Sequence, residues 1–251
     1  MEQIKGIRAQ VARFMVVYLW LHVPLAAIAG AMVSGEWVMT TIGALVLAGA
    51  TTLTWRMAAE GEATLYTVGV ALMGMVALLV FAFEGHPWQI DMHMYFFAAL
   101  AMLTAFCDWR TLVVAAGAVA VHHLVLNFAY PAAVFPGGGS FLRVVLHAVI
   151  VVAQTAVLGW VAWRLIQAFT AAEKAAAESS AAHEAAAAAA ASRDRMTQEA
   201  AAGHKAEMND LAGSLQGEVG RVVEAMSQAA TGARAAAEKL DGMVEDVSGK
   251  A

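Results

Sequence analysis

The chain contains 251 residues, of which 61% are hydrophobic and 14% are charged, and its net charge is −5. A mean hydropathy of +0.64 lies well outside the range of an ordinary soluble domain, and the acidic balance gives no reason to expect a nucleic-acid partner. The single cysteine, Cys107, excludes an intramolecular disulfide framework and a cysteine-rich metal site. The composition therefore predicts a membrane protein.

Residues 1–13 form a basic segment ahead of the first long apolar run, with Lys5, Arg8 and Arg13 as its positive charges. No small-residue cleavage pattern follows, so we interpret the apolar run as a retained membrane span and not as a signal peptide. Residues 1–13 are then expected to remain in the cytoplasm as an N-terminal segment.

Six apolar segments, each about as long as a hydrocarbon core requires, predict an all-α transmembrane domain over residues 14–166. The predicted spans are residues 14–32, 38–55, 63–83, 90–107, 111–129 and 141–166. Basic residues precede the first span and also follow the second, fourth and sixth spans, at Arg56, Arg110 and Arg164. All of them fall on one side of the membrane, which the positive-inside rule assigns to the cytoplasm. We therefore predict a polytopic six-helix bundle with both termini in the cytoplasm.

Five histidines lie within the predicted spans: His22, His93, His122, His123 and His147. Ionisable side chains inside a membrane usually face the bundle interior or a cavity, so their presence is a functional-site hypothesis. At a helical rise of about 1.5 Å per residue, His123 and His147 both lie about 9 Å below the outer edge of their spans. His93 is shallower and His22 is nearer the midplane. The side chains of His122 and His123 point about 100° apart, so one of the two is expected to be a ligand.

Haem b is the first cofactor that this pattern predicts. Two imidazoles from different helices can occupy both axial positions of a haem iron, and the abundant Ala and Gly residues can leave space for the macrocycle. Arg143, four residues before His147, can meet a haem propionate, and Asn127 shares a helix face with His123. The candidate cofactor-binding residues are His22, His93, His122, His123, His147, Arg143 and Asn127.

Copper is the alternative cofactor. Met92 and Met94 place thioether sulfurs on both sides of His93, and soft sulfur beside imidazole favours copper among the common metals. The candidate metal ligands are His93, His123, His147, Met92 and Met94. His86, beside Pro87 in an outer loop, is expected to be solvent-exposed and to bind no metal.

Beyond the last span, residues 167–210 form an Ala-rich connector without proline, which predicts a nearly continuous cytoplasmic helix. Residues 211–251 then show a sustained heptad pattern of apolar residues. The seam of this pattern consists of Val219, Val222, Met226, Ala229, Ala233, Ala236, Leu240, Met243 and Val247. One helix cannot bury such a seam alone, so we predict a coiled coil and a homodimer.

The sequence LQGEVGRVVEAM at residues 215–226, continuing through AATGARAAAEKLDGMVEDVSGKA, resembles the segment that opens the cytoplasmic signalling domain of bacterial methyl-accepting chemotaxis proteins. The resemblance covers roughly the last 40 residues. It implies a homodimeric receptor in the inner membrane of a bacterium, which in its full-length form controls a histidine kinase through a coupling protein. The chain ends before the hairpin tip that engages the kinase in this family, so we expect a truncated receptor.

These features together predict a chemoreceptor-type signal transducer that senses redox state, oxygen or another small ligand through intramembrane haem b. A copper-sensing receptor is the alternative, and a proton or ion transporter with a histidine relay is a third interpretation. No internal repeat of the kind that transporters show is recognisable. No catalytic constellation is recognisable either, so the sequence predicts a protein that is not an enzyme.

Overall fold

The computed structural model describes residues 2–248, with side-chain surroundings described over residues 4–243. Within this range the protein is all-helical, at 91% helix, and contains no strand. The chain divides into two units, residues 1–177 and residues 178–251. The all-α fold class predicted from the sequence is confirmed.

Six α-helices follow one another along the described chain. They are α1 (Glu2–Ala29, continued by a π-helical turn over Gly30–Ser34), α2 (Trp37–Met57), α3 (Glu62–Ala82), α4 (Gln89–Met102, continued by a 3-10 turn over Leu103–Phe106), α5 (Trp109–Ala129) and α6 (Phe141–Ser248). A further 3-10 turn, Pro131–Ala133, lies between α5 and α6. Helix α1 already begins at Glu2, so the predicted N-terminal segment is helical throughout its described part.

Five helices are long and apolar enough to cross a membrane: Ile4–Ser34, Trp37–Met57, Glu62–Ala82, Trp109–Ala129 and Phe141–Met243. The predicted span over residues 90–107 corresponds to α4, which has only 14 α-helical residues. Helix α4 ends early because the chain tightens into the 3-10 turn and then adopts a left-handed conformation at Cys107, with φ of 51°. Asp108 caps the next helix by accepting a hydrogen bond from the Arg110 N–H at 2.9 Å. The predicted count of six spans is therefore not confirmed.

Helix α3 is the centre of the first unit. Its residues are apolar on all sides, which suits a helix surrounded by others, and it packs against α1, α2, α4 and α5. In the most apolar stretch of α3, 61% of the residues are buried, against 6% in the corresponding stretch of α6. The apolar part of α6 is therefore the least enclosed of the long apolar helices.

Arg8 ties α1 to the connection between α4 and α5. Its Nε donates to the Phe106 carbonyl at 3.2 Å, and its Nη2 donates to the Asp108 carboxylate at 3.2 Å. The Asp108 side chain is only 8% exposed, so the pair is largely shielded from water. This ion pair closes the end of the bundle opposite the α1–α2 turn.

The second unit is a continuation of α6 alone. Every residue from 178 to 243 is exposed. The heptad seam therefore has no partner surface within this part of the chain, and its last member, Val247, lies outside the residues whose side chains are described. The predicted coiled coil and homodimer stay predictions.

Candidate functional site

Three of the predicted histidines form a triangle of imidazole rings between α4, α5 and α6. The ring centroids are 4.9 Å apart for His93 and His123, 5.4 Å for His93 and His147, and 5.7 Å for His123 and His147. Antiparallel helices bring the beginnings of α4 and α6 to the same end of the bundle as the end of α5. We call His93, His123 and His147 the histidine triangle.

Backbone carbonyls determine which ring nitrogens in the triangle carry protons. Nδ1 of His123 lies 2.9 Å from the Val119 carbonyl oxygen, and Nδ1 of His147 lies 2.8 Å from the Arg143 carbonyl oxygen. In both cases the carbonyl belongs to the residue four positions earlier in the helix. A carbonyl can only accept, so Nδ1 is the donor in both rings and Nε2 keeps its lone pair. The Nε2 atoms of His123 and His93 are 3.0 Å apart, and His93 also has a backbone hydrogen bond, to Val134. Such second-nitrogen bonds are the ones that orient metal-binding histidines.

Two phenylalanines enclose the triangle. Phe96 of α4 contacts His93 and His123, each with 5.4 Å between ring centroids. Phe135, from the segment between α5 and α6, contacts all three rings at 5.4–6.1 Å and is 3% exposed. The sequence did not point to Phe135, because residues 130–140 fall between the predicted spans 111–129 and 141–166. The signal was present in the apolar run Pro131-Ala132-Ala133-Val134-Phe135.

His122 lies beside the triangle but does not belong to it. Its Nδ1 is 3.4 Å from Nδ1 of His123, and its ring contacts Phe96. His123 is buried and His122 is half-buried, so the two neighbours occupy different environments. The histidine that meets His93 and His147 is therefore His123.

The structure does not bring His22 to the triangle. Its Nδ1 bonds the Tyr18 carbonyl at 2.8 Å, and its Nε2 bonds the Tyr95 hydroxyl at 2.8 Å. Tyr95 is also hydrogen-bonded to the Tyr18 hydroxyl. Both ring nitrogens of this buried histidine thus have protein partners. The network fastens α1 to α4, a role in helix packing that intramembrane histidines often have.

The polar candidates Arg143 and Asn127 both hold the segment that leads into α6. The Asn127 side-chain oxygen accepts from the Ser140 N–H at 2.7 Å. Arg143 donates to the Gly138 carbonyl at 3.2 Å, and its guanidinium lies 5.1 Å from the Phe135 ring centroid. In the described part of the chain, no carboxylate pairs with Arg143.

The two methionines beside His93 face away from the triangle. Met94 is 61% exposed, and Met92 packs against the main apolar core. Successive residues on a helix are turned by about 100°, so neighbours in sequence do not share a ligand position. His86, in the segment before α4, is half-buried and its Nδ1 accepts from the Trp88 N–H at 3.2 Å.

A cavity of about 1010 Å³ adjoins the triangle between α4, α5 and α6. All three triangle histidines line it, and Trp109 and Trp163 line it far from them along the helices. The remaining wall consists mostly of aliphatic and small side chains, among them Val113, Ala116, Gly117, Ala120, Ala148, Val151, Val152, Ala156 and Gly159. Its volume lies at the upper end of the range for ligand pockets.

The nitrogen positions of the triangle are near those of three ligands on one metal ion, but they do not match them. Two nitrogens on a tetrahedral ion with bonds of about 2.0 Å are about 3.3 Å apart, and the His93 and His123 Nε2 atoms are 3.0 Å apart. No three His, Cys, Asp or Glu side chains among the described residues already have metal-site geometry. Closing the triangle on an ion therefore requires ring rotations.

The fit to a haem with two axial histidines is poorer. An iron held between two imidazoles would need their nitrogens farther apart than the 3.0 Å between Nε2 of His93 and Nε2 of His123. The remaining pairs do not solve this, because the third ring lies nearly equidistant from the other two. With the third ring 4.9–5.7 Å from both members of each pair, it would have to move before a macrocycle could be held between them.

Comparisons with known proteins return no relative. No family model, curated protein or solved structure matches the chain. The resemblance of residues 215–251 to chemotaxis receptors therefore rests on the sequence pattern alone, and the function is argued from the geometry of the site.

Proposed function

We propose that the protein is a transmembrane signal transducer whose input site is the histidine triangle. The observation that carries this proposal is the convergence of three imidazoles from three helices beside a large apolar cavity. Intramembrane ionisable residues are costly, and a cluster of them marks a function more often than packing. We expect no catalytic reaction at this site.

The proposed body spans the membrane six times. Helix α4 and the 3-10 turn after it contain 14 and four residues, which at about 1.5 Å and 2.0 Å per residue extend about 29 Å. That length matches a hydrocarbon core of about 30 Å. The segment can therefore cross together with the five longer helices.

The proposed orientation places both termini in the cytoplasm of a bacterium. Basic residues lie at the start of α1, at the end of α2, at the start of α5 and at Arg164 within α6, which share one side, whereas Glu36, Glu84 and the single basic residue Arg143 lie toward the other. On that outer side, the Tyr130 hydroxyl donates to the Glu84 carboxylate at 2.6 Å and 2.7 Å, a hydrogen bond that raises the pKa of Tyr130. The histidine triangle then lies in the outer half of the membrane.

Copper is the ligand that the triangle supports best. Imidazole nitrogens suit copper, and three of them on separate helices can close on one ion by ring rotation. The Nε2 atoms of His123 and His147 keep their lone pairs for this role, while their Nδ1 atoms are held by backbone carbonyls. In this proposal Met92 and Met94 take no part, because they face away from His93.

Haem b is the second candidate, and the cavity is the observation that favours it. Its volume and its small wall residues can accept a macrocycle bound through a single triangle histidine, which leaves the other two rings in place. When bound, the haem would supply a redox-active iron with an open position for a diatomic ligand. Binding through two histidines would require displacement of the third.

The proposed output passes through α6, which contains both His147 and the heptad seam. A change in the ligation of His147 can shift the helix and favour one of two packings of a homodimeric coiled coil. The resemblance to chemotaxis receptors supports a histidine kinase and its coupling protein as the downstream partners. Cysteines introduced at Met226 and Ala233, in a Cys107→Ser background, are expected to crosslink two chains, and absence of any crosslinked dimer would contradict the homodimer.

Metal analysis and an absorption spectrum of the purified full chain test the input site. We expect about one copper per chain and no Soret band, whereas stoichiometric haem with a Soret band would favour the second candidate. Occupancy is expected to fall in the His93→Ala, His123→Ala and His147→Ala variants. His86→Ala is the matched control, because that histidine lies outside the cluster. Full occupancy after replacement of all three triangle histidines would refute the site.

A further inference from the structure

The cavity beside the triangle is polar at one end and apolar along most of its length. The triangle histidines lie near the beginning of the membrane part of α6, and Trp163 lies 16 residues after His147 on the same helix. That separation corresponds to about 24 Å along the helix axis. A ligand that matches this shape has a small polar head and a long hydrocarbon tail.

The hydrogen-bonding capacity at the polar end specifies the head group. Nδ1 of His147 donates to the Arg143 carbonyl, so Nε2 retains an unshared lone pair. Among the described residues none donates to this nitrogen, and His147 lines the cavity. The head group that satisfies it carries a hydroxyl or another hydrogen-bond donor.

The same end of the cavity is aromatic and lacks a positive charge. Phe96, Phe97 and Phe141 line it, and aromatic side chains pack well against a planar ring. Arg143 is not part of the lining, and its guanidinium is engaged with the Gly138 carbonyl and the Phe135 ring. These features suit an uncharged ring and give no counter-ion for a carboxylate or a phosphate.

The far part of the cavity suits a hydrocarbon tail. Val151, Val152, Ala156 and Gly159 provide an apolar wall along α6 toward Trp163. The Thr155 hydroxyl in this wall is buried without a hydrogen-bond partner among the described residues, and the only other polar side-chain atoms of the lining there are the indole nitrogens of Trp109 and Trp163. The polar head therefore has a single preferred end.

We propose that this cavity binds a lipid-soluble quinol, a hydroquinone ring with a long apolar tail. One quinol hydroxyl donates to Nε2 of His147, the ring packs among the phenylalanines, and the tail extends toward Trp163. This proposal goes beyond the metal at the triangle and needs no ion; because both ligands use Nε2 of His147, the quinol binds the metal-free triangle. It provides the transducer with a ligand drawn from the membrane itself.

Binding of a ubiquinol analogue with a ten-carbon tail tests the proposal. The full chain is purified in detergent, treated with a chelator to remove metal, and kept under anaerobic, reducing conditions during equilibrium dialysis. The matched pair of variants is Gly117→Leu and Gly49→Leu. An added Cβ meets nothing within 4 Å at either glycine, and only Gly117 lines the cavity. Circular dichroism and a single elution peak confirm that each variant is folded, and Ala156→Leu serves as a second cavity-filling variant.

We expect the unsubstituted chain and Gly49→Leu to retain about one quinol per chain above the detergent background. The two cavity-filling variants are expected to bind at least about tenfold more weakly. Loss of the one buried hydrogen bond in His147→Ala is expected to weaken binding about tenfold. The oxidised quinone lacks the hydroxyl donor and is expected to bind more weakly than the quinol.

Three results would overturn the proposal. Equal retention by Gly117→Leu and Gly49→Leu would show that the quinol does not enter the cavity. Competition by decanol as strong as competition by unlabelled quinol would mean that any apolar chain occupies it. Purified protein with stoichiometric haem would also exclude the quinol, because both need the same space. Absence of copper would refute only the metal at the triangle, so the two proposals fail separately.

Discussion

The histidine doublet on α5 offers a pair of substitutions that differ by one position in the chain. His123 belongs to the triangle, with its Nε2 atom 3.0 Å from that of His93, whereas His122 contacts only the outside of the cluster. We therefore compare His123→Ala with His122→Ala. The two variants remove the same side chain from adjacent positions of the same helix, so general effects of losing an imidazole cancel.

The size of the expected difference follows from the contacts of each ring. Removing a partner that only orients a metal ligand costs about 10–100-fold in affinity, so removing a ligand itself should cost at least about 100-fold, or about 2.7 kcal/mol. His122 approaches Nδ1 of His123 at 3.4 Å, and the proton on that nitrogen is already donated to the Val119 carbonyl. We therefore expect His122→Ala to reduce copper affinity by less than about threefold.

Competition with a coloured copper chelator of known affinity, under reducing conditions, measures the copper dissociation constants of the His123→Ala and His122→Ala chains. Thermal unfolding of the metal-free variants serves as the control for folding. Equal losses of affinity in the two variants, or a larger loss in His122→Ala, would refute the assignment of His123 as the ligand of the doublet. Unchanged affinity in both would refute copper binding at the triangle.

Two further substitutions test the bundle that holds the site. Arg8→Met removes three hydrogen bonds, including one to the largely buried Asp108 carboxylate, and should cost about 2–3 kcal/mol of unfolding free energy. The exposed pair of Arg110 and Glu62 is the control, because Arg110→Met should cost less than about 1 kcal/mol. Gly30→Ala should lower the free energy of unfolding by about 1–3 kcal/mol, because the added Cβ would lie 2.9 Å from a backbone carbon of α2. Thermal unfolding in detergent measures the three variants. Unfolding midpoints of Arg8→Met and Gly30→Ala equal to that of Arg110→Met would contradict the packing.

The sequence predicted the meeting of His93, His123 and His147 because only helix length and direction were needed. Antiparallel helices with a fixed rise per residue convert position in a span into depth in the membrane. Because His93, His123 and His147 lie toward the same end of three spans, their side chains can meet only near that end of the bundle. The same reasoning could not exclude His22, because depth does not specify which face of a helix points toward which neighbour.

The remaining features of the site depend on contacts between distant parts of the chain. Phe135 closes the triangle because the segment after α5 folds back over it, a path that periodicity does not predict. Arg143 and Asn127 were expected at a cofactor, yet they bond the backbone at Gly138 and Ser140. Backbone N–H and C=O groups in a turn also need hydrogen-bond partners. Arg143 and Asn127 provide them for the turn that precedes α6.

The three helices that carry the triangle differ in how firmly they are packed in the bundle. His93 and His123 belong to helices that pack against α3, the most enclosed helix of the unit, so they provide a fixed side of the site. His147 belongs to the helix with only 6% of its most apolar stretch buried. A proposed ligand that binds His147, whether the metal or the quinol, would therefore act mainly on α6, because α4 and α5 are held against α3. The same helix contains the heptad seam, so the least buried of the long apolar helices is also the one that carries the proposed output.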